Sequence, residues 1–394
     1  MTRSVNKFAL ATIFLTVILD AAGIGLVLPV MPDLFGGDKA AGGIGLSYGL
    51  FLSLYALMQF VFSPLLGSLS DRIGRKPVLV LSLIGATVNY GIMALLPPLW
   101  ILFVARAIAG MSGANMSVAS AYLTDISPPD RRAARFGQLS ACFGIGFILG
   151  PAAGGMLREL GLNWPFAAAA VLAAVNLAMC LFVLPESRPA EPAAPDGIDP
   201  LAGLKGLSLF KPIAGLLMAS GLFALIGEVG GSVWVFYVHH KFHWTGFTVG
   251  LSLTLFGLFH ALAQAFVVGP ISKRLGDRGA LLLGMAADVG AYVILAVLTD
   301  GNWVFALVPI LCLGGIGPSV LMAVASRKVG EDVQGQLQGV IASLASLAAI
   351  IGPTFFLALY FATRDVFPGA VWIVGAALYL VCLPILLRKD TYAS

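Results

Sequence analysis

Four ionisable side chains sit inside stretches of sequence that are otherwise apolar: Asp20, Arg106, Glu228 and Asp288. A charge at the midplane of a lipid bilayer costs about 2.5–3.5 kcal/mol on insertion scales, so each needs a reason to be there. A carboxyl so placed can take up and release a proton, or, ionised, attract a cationic solute. Asp20, Glu228 and Asp288 are candidates for that chemistry. The competing role, a hydrogen bond between helices, would be met at lower cost by an amide or a hydroxyl. Arg106 is permanently charged and can hold a nearby carboxylate ionised until a proton or a solute replaces the contact; static pairing within the fold is its alternative. His260 adds a group that ordinarily titrates near pH ~6.5, and a lone His among apolar residues serves equally as a hydrogen-bonded core group. Gln59, Asn89 and Gln264 add uncharged polarity in similar runs.

The segments that must position these groups dominate the chain. Of its 394 residues, 59% are hydrophobic and only 11% charged, whereas a soluble protein carries about 25% charged residues. That shortage excludes a soluble enzyme, a nucleic-acid binder and a disordered chain. It leaves a polytopic membrane protein whose outer surface faces lipid. A spanning helix needs about 20 apolar residues, and such runs occupy 8–30, 45–66, 77–97, 99–121, 136–158, 164–184, 213–238, 245–269, 280–298, 302–325, 337–360 and 370–387. The runs are continuous and rich in Leu, Ala and Gly, where a membrane barrel would alternate polar and apolar residues. The fold class is therefore all-α, with twelve transmembrane helices. Cys142, Cys180, Cys312 and Cys382 stand singly in apolar runs and read as small buried hydrophobes. His239 and His243 are one helical turn apart, but with no acidic partner nearby no metal site is expected. No cleavable signal is expected either, because the first run is long enough to span and no small-residue cleavage site follows it.

Orientation follows from the cations. Assigning the N-terminus and every second connection to one side gathers eighteen of the 23 Lys and Arg there, from Arg3 and Lys7 to Arg388 and Lys389. Lys39, Arg158, Lys241 and Arg364 fall on the other side. The positive-inside rule then puts both termini in the cytoplasm. Arg131, Arg132 and Arg135 belong to this pattern; no interleaved aromatics mark them as a nucleic-acid patch. Residues 185–211, rich in Pro, Ala and Gly, read as a cytoplasmic linker between a six-helix bundle over 1–184 and a second over 212–394. The halves are related in sequence. Gly67-Ser-Leu-Ser-Asp-Arg-Ile-Gly74 aligns with Gly269-Pro-Ile-Ser-Lys-Arg-Leu-Gly276 at an offset of 202, and Gly150-Pro151 with Gly352-Pro353 at the same offset. Two parallel six-helix repeats are the ground plan of major facilitator transporters.

Gly67-Ser-Leu-Ser-Asp71-Arg72-Ile-Gly74-Arg75-Lys76 resembles the signature loop between helices 2 and 3 of that superfamily, and Arg106-Ala-Ile-Ala-Gly110 its helix-4 motif. Gly146-Phe-Ile-Leu-Gly150-Pro151-Ala-Ala-Gly154-Gly155 resembles the helix-5 motif of its drug:H⁺ antiporters. Asp20-Ala-Ala-Gly-Ile-Gly-Leu-Val-Leu-Pro-Val-Met-Pro32, Leu54-Tyr-Ala-Leu-Met-Gln59, Ser232-Val-Trp-Val235 and Gly257-Leu-Phe-His260 are similar to the tetracycline efflux antiporters, a likeness that runs over essentially the whole chain. The resemblance implies export of a small amphipathic drug, most simply tetracycline as a divalent-metal chelate, in exchange for protons across a bacterial inner membrane. It implies no resident cofactor, only a divalent cation carried with the substrate, and a working monomer.

Residue by residue, it implies proton coupling at Asp20, Arg106, Asp288 and His260. Tyr55, Gln59, Asn89, Asn115, Trp234, Phe236 and Gln264 are implied to line a substrate cavity between the halves. Gating falls to two places. Gly67 and Gly74 would let helices 2 and 3 approach closely, while Asp71 offers an acceptor to helix N-termini and to Arg groups of the facing half, with Arg72 and Arg75 beside it. Gly150 and Pro151 would let helix 5 pack closely and rock. Two positions depart from the family pattern: Glu228-Val-Gly stands where relatives carry Gln-Ile-Pro, and Asn89 where they carry an acid. If both line one cavity, a carboxylate has moved from helix 3 to helix 7, so Glu228 joins the coupling set. The alternatives are the same mechanism with another drug or an endogenous metabolite, and a non-transporting receptor or scaffold, which has little need of three membrane carboxylates. An enzyme is excluded by the lack of any nucleophile-and-base set.

Overall fold

Where no water reaches the backbone, its polar groups are satisfied only within helices. The computed structural model of the chain is accordingly helical; it describes residues 7–36, 42–128, 131–187, 210, 213–329 and 333–387. Arg3, Lys39, Arg388, Lys389 and nearly all of the linker expected at 185–211 lie outside the described residues. In order, the helices are α1 (Lys7–Val27), α2 (Gly42–Ile73), α3 (Arg75–Ala94), α4 (Leu99–Met111), α5 (Asn115–Ile126), α6 (Arg132–Arg158), α7 (Asn163–Phe182), α8 (Ala214–Phe242), α9 (Gly246–Leu262), α10 (Val268–Val297), α11 (Asn302–Leu313), α12 (Ile316–Arg327), α13 (Gln334–Thr363) and α14 (Ala370–Leu386). A short 3-10 turn, Met31–Phe35, follows α1, and a π-helical segment, Ala263–Val267, joins α9 to α10.

Among the described residues, ten stretches are long and apolar enough to cross a bilayer. One of them, Gly246–Val297, runs for 52 residues and bends inside α10 at Gly276, so it holds two passes. With α14, a shorter apolar helix of 17 residues, the described helices are consistent with the twelve expected. Gly276 (φ 69°) and its repeat partner Gly74 (φ 101°) adopt left-handed backbone conformations that a side chain would strain. The chain therefore reverses at both copies of the signature loop.

Two spans read as continuous are in fact broken. The run 99–121 divides at Ser112–Ala114 into α4 and α5, and the run 302–325 divides at Gly314–Gly315 into α11 and α12. The two breaks are again 202 residues apart. Hydropathy does not register them, because Ser, Gly and Ala interrupt a helix without interrupting its apolar character.

The helices group into two compact units. The described residues of Met1–Leu34, Leu54–Pro200 and Thr245–Thr254 form the first, and those of Phe35–Ser53, Leu201–Trp244 and Leu255–Ser394 the second. The start of α2 thus belongs with the second unit and the start of α9 with the first, an exchange not visible in the sequence. In the first unit α1 packs on α6 and α3 on α7; in the second α8 packs on α13 and α10 on α14. Gly25 meets Gly150 and Pro151 at the α1–α6 crossing, where a Cβ on Gly25 would lie 2.9 Å from each. This is the close helix approach read from the small residues of α6. The first unit's core gathers Ile13, Val17, Val78, Leu79, Leu83, Val118, Tyr122 and Leu139.

Candidate functional site

In the first unit, the break between α4 and α5 organises the polar groups. It places Asn115 at the first position of α5, where its Nδ2 donates to Asp20 Oδ1 at 2.7 Å. Across α4, the Arg106 guanidinium lies over the Tyr55 ring, 4.3 Å from its centroid. That is the geometry of a cation–π contact, which strengthens when desolvated. Tyr55 and Tyr90 are each within electrostatic reach of both Asp20 and Arg106, and Tyr90 packs beside Gly23, one turn beyond Asp20 on α1. The break also frees carbonyls that a continuous helix would have satisfied. Gln59 Nε2 donates to one of them, Gly113 O, at 2.9 Å. Asp20, Tyr55, Gln59, Arg106 and Asn115 are thus brought to one locality, and Tyr90 joins them. Asn89 is placed differently. It is buried, its Nδ2 reaches only Met93 Sδ at 4.0 Å, and its Oδ1 has no partner among the described residues. A carboxylate there would be buried without a counter-charge, a cost that the amide avoids.

The second unit repeats the arrangement with different side chains. Asp288, 8% exposed on α10, accepts a 2.5 Å hydrogen bond at Oδ2 from the Tyr379 hydroxyl of α14. Its carboxyl seats on the bare backbone of Gly314, where a Cβ would overlap it. The next residue, Gly315, receives the neighbours on the other flank: a Cβ there would lie 2.5 Å from His260 Cε1 and 3.0 Å from Gln264 Nε2. His260 stacks on Phe256, with ring centroids 5.8 Å apart. Gln264, in the π-helical segment, donates to Gly315 O at 2.9 Å and accepts from Ser319 Oγ at 3.0 Å. Gln59 and Gln264 therefore do the same work at breaks 202 residues apart: each satisfies a freed carbonyl.

Glu228 lies on α8 with its Cβ and Cγ against Gly352; no hydrogen bond or ion pair engages its carboxylate among the described residues. Asn89 and Glu228 belong to different units. Trp234 and Phe236 sit in aromatic packing: Trp234 against Trp244 and Trp372, Phe236 against Tyr48 and Phe361. Both are buried. His243, one of the two His considered for a metal, ends α8 in a left-handed conformation, and no cluster of three or more His, Cys, Asp or Glu suited to a metal occurs among the described residues.

The loop between α2 and α3 is anchored by one buried cation. Arg75, with 7% of its side chain exposed, pairs with Asp125 on α5 at 2.9 Å and with Asp71 at 2.7 Å, and donates to Ser70 Oγ at 2.6 Å. Asp71, expected to serve the facing half and helix N-termini, is spoken for at least in part by Arg75, four residues on. The N-terminus of α3 is capped instead by Glu186, which accepts from the backbone N–H of Arg75 at 2.8 Å and of Lys76 at 3.0 Å. A carboxylate there meets orphan amides and the positive end of the helix. Gly74 is close-packed, but against the Glu186 carboxyl, which a Cβ would strike, and not through the approach of α2 and α3. Gly67 is not close-packed: a Cβ there would meet nothing within 4 Å, and its carbonyl accepts from Ser70 Oγ. Arg72 Nε has no partner among the described residues. Tyr90, Asp125, Glu186 and Tyr379 are the partners that sequence reasoning missed. All four come from distant segments and carry no local pattern; only the position of Glu186, directly after a span, was a usable signal.

The family model described as Major Facilitator Superfamily matches residues 10–353, with a further match over 216–394. The chain is 47% identical to the tetracycline resistance protein, class C, of Escherichia coli, over 96% of each chain. It is 45% identical to the class G protein of Vibrio anguillarum, over 94% of this chain and 95% of that one. Among solved structures, the nucleoside transporter NupG superposes with a TM-score of 0.80 at 15% identity, covering 96% of this chain and all of the other. That likeness concerns the fold.

Proposed function

The chain belongs to the Major Facilitator Superfamily, and from that premise we propose that it is a proton-coupled secondary exporter that expels tetracycline, carried with a divalent cation, by alternating access. The observation that carries this reading is the Asp288 carboxyl. It is buried in an apolar helical unit, no cation pairs with it among the described residues, and its partner is a neutral hydroxyl. A structural carboxylate in such a place needs a fixed counter-charge, whereas a proton carrier must be free to become neutral. Asp20 supports the same use: its partner is an amide, and Tyr55, which lies under the Arg106 guanidinium, is within electrostatic reach of it. His260, beside the same glycine pair as Asp288, extends the coupling set. The chain is a multi-pass membrane protein. The asymmetry of Lys and Arg supports two cytoplasmic termini in a bacterial inner membrane, and the 202-residue repeat supports two six-helix halves that work as a monomer.

The test is uptake of tetracycline with Mg²⁺ into inverted membrane vesicles under a pH gradient. Wild type should accumulate drug, and Asp288→Asn should not; equal accumulation by both would refute the role of Asp288. A second reading keeps the mechanism and changes the cargo to another cationic drug or metabolite. It is favoured by one observation, the carboxylate of Glu228 in an apolar helix with no hydrogen bond or ion pair among the described residues. Wild-type vesicles that ignore tetracycline yet accumulate another amphipathic cation, and lose that ability in Glu228→Gln, would establish it.

A further inference from the structure

We propose that Tyr379 is the positioning residue for Asp288: its hydroxyl, opposite the bare backbone of Gly314, fixes the orientation in which the carboxyl takes up and gives up its proton. This rests on the export reading above and adds a residue that nothing else assigns to it. Asp288 Oδ2 accepts from the Tyr379 hydroxyl at 2.5 Å, and the carboxyl rests on Gly314, so it is held from two sides. The Tyr379 ring cannot easily turn away. It is 3% exposed and packs edge-on against Phe223, with centroids 5.0 Å apart, and tilted against Tyr292 at 6.4 Å.

A hydroxyl suits a group that changes charge, because it both donates and accepts. It donates to the carboxylate and can accept from the carboxylic acid, so the contact survives both states while an amine or a guanidinium would favour one. The titratable groups facing Asp288 are Tyr379 from α14, Cys312 from α11 and Tyr292 from α10 itself. His260 of α9 lies against the adjacent Gly315. Tyr292 cannot stand in for Tyr379, because its hydroxyl is directed at Ile226 O at 3.5 Å.

Tyr379→Phe keeps the ring and removes only the oxygen. In inverted vesicles, proton-driven tetracycline uptake should fall at least threefold in maximal rate with KM unchanged. Because the bond donated to the ionised carboxylate is charge-assisted and the stronger of the two, the pH at which uptake is half-maximal should move by about one unit, a tenfold change in proton affinity. Exchange of labelled for unlabelled drug without a pH gradient should persist. A wild-type pH profile and rate in Tyr379→Phe would overturn the assignment, and so would a loss of exchange equal to the loss of driven uptake, which would mark a purely structural role. No uptake by wild type would instead defeat the export reading. If Tyr379→Phe fails to accumulate in the membrane, infrared titration of the wild type decides. The carboxylic-acid band that disappears in Asp288→Asn should have the frequency of a hydrogen-bonded acid, and the frequency of a free acid would overturn the proposal.

Discussion

Adding one methyl group at Gly314 probes the Asp288 seat most sharply. Gly314 has helical dihedrals (φ −57°, ψ −31°), so alanine introduces no backbone strain there. The effect is steric: the new Cβ would occupy the place of the Asp288 carboxyl. Restoring an ordinary contact of roughly 3.5 Å requires a displacement of roughly 1 Å or more. Overpacking of this kind costs about 1–3 kcal/mol, and the helical preference of Ala over Gly returns about 0.5–1 kcal/mol of it. Stability should therefore drop by only about 1–2 kcal/mol, whereas a misplacement of about 1 Å at a reacting group can cost on the order of 100-fold in rate. The assay pairs thermal unfolding in detergent with proton-driven uptake in vesicles. Gly290→Ala, on the same helix as Asp288 with nothing near its Cβ position, is the control: it should leave uptake unchanged and gain about 0.5–1 kcal/mol of stability from the helical preference of Ala. Uptake by Gly314→Ala within twofold of wild type would refute the reasoning, because it would mean the carboxyl need not sit where the structure puts it.

The remaining expectations separate strong contacts from weak ones. Arg75→Ala leaves the Asp125 carboxylate without its guanidinium and should cost about 3 kcal/mol or more in thermal unfolding, as breaking buried pairs does. The pair between Arg158 and Asp33, whose side chains are 37% and 19% exposed, should cost at most ~1 kcal/mol in Asp33→Asn, with the difference shrinking in high salt. Gln59→Ala strands the Gly113 carbonyl at a helix break and should lose about 1–3 kcal/mol in the same unfolding assay, whereas Gln264→Ala should lose less, because the Ser319 hydroxyl also donates to Gly315 O.

What could be read in the sequence was what depends on composition and spacing. The twelve apolar runs and the 202-residue repeat both leave local marks. So does the isolation of Asp20 and Asp288, because a carboxyl in an apolar run is conspicuous. The helix breaks left none that hydropathy detects, since Ser112-Gly113-Ala114 and Gly314-Gly315 are too short to lower the apolar character of the runs that contain them. Partners were invisible for a related reason. Tyr379 lies 91 residues from Asp288, and Glu186 lies 111 residues from the amide it caps; only the packing of α14 on α10 and the return of the chain after α7 bring them near. Gln59 and Gln264 were singled out as polar groups within the apolar runs, and the structure shows each donating to its own unit's backbone. The exchange of the start of α2 and the start of α9 between the units has no sequence signature at all, because both stretches match their neighbours in composition.

The central claim is that movement of the drug and movement of the proton are one event at Asp288. Inverted vesicles can be charged with an acid interior and the gradient followed with a fluorescent amine. Adding tetracycline with Mg²⁺ should discharge the gradient through the wild-type protein and leave it intact with Asp288→Asn. Discharge by both proteins to the same extent, or accumulation of drug by the wild type with no proton released, would contradict the account.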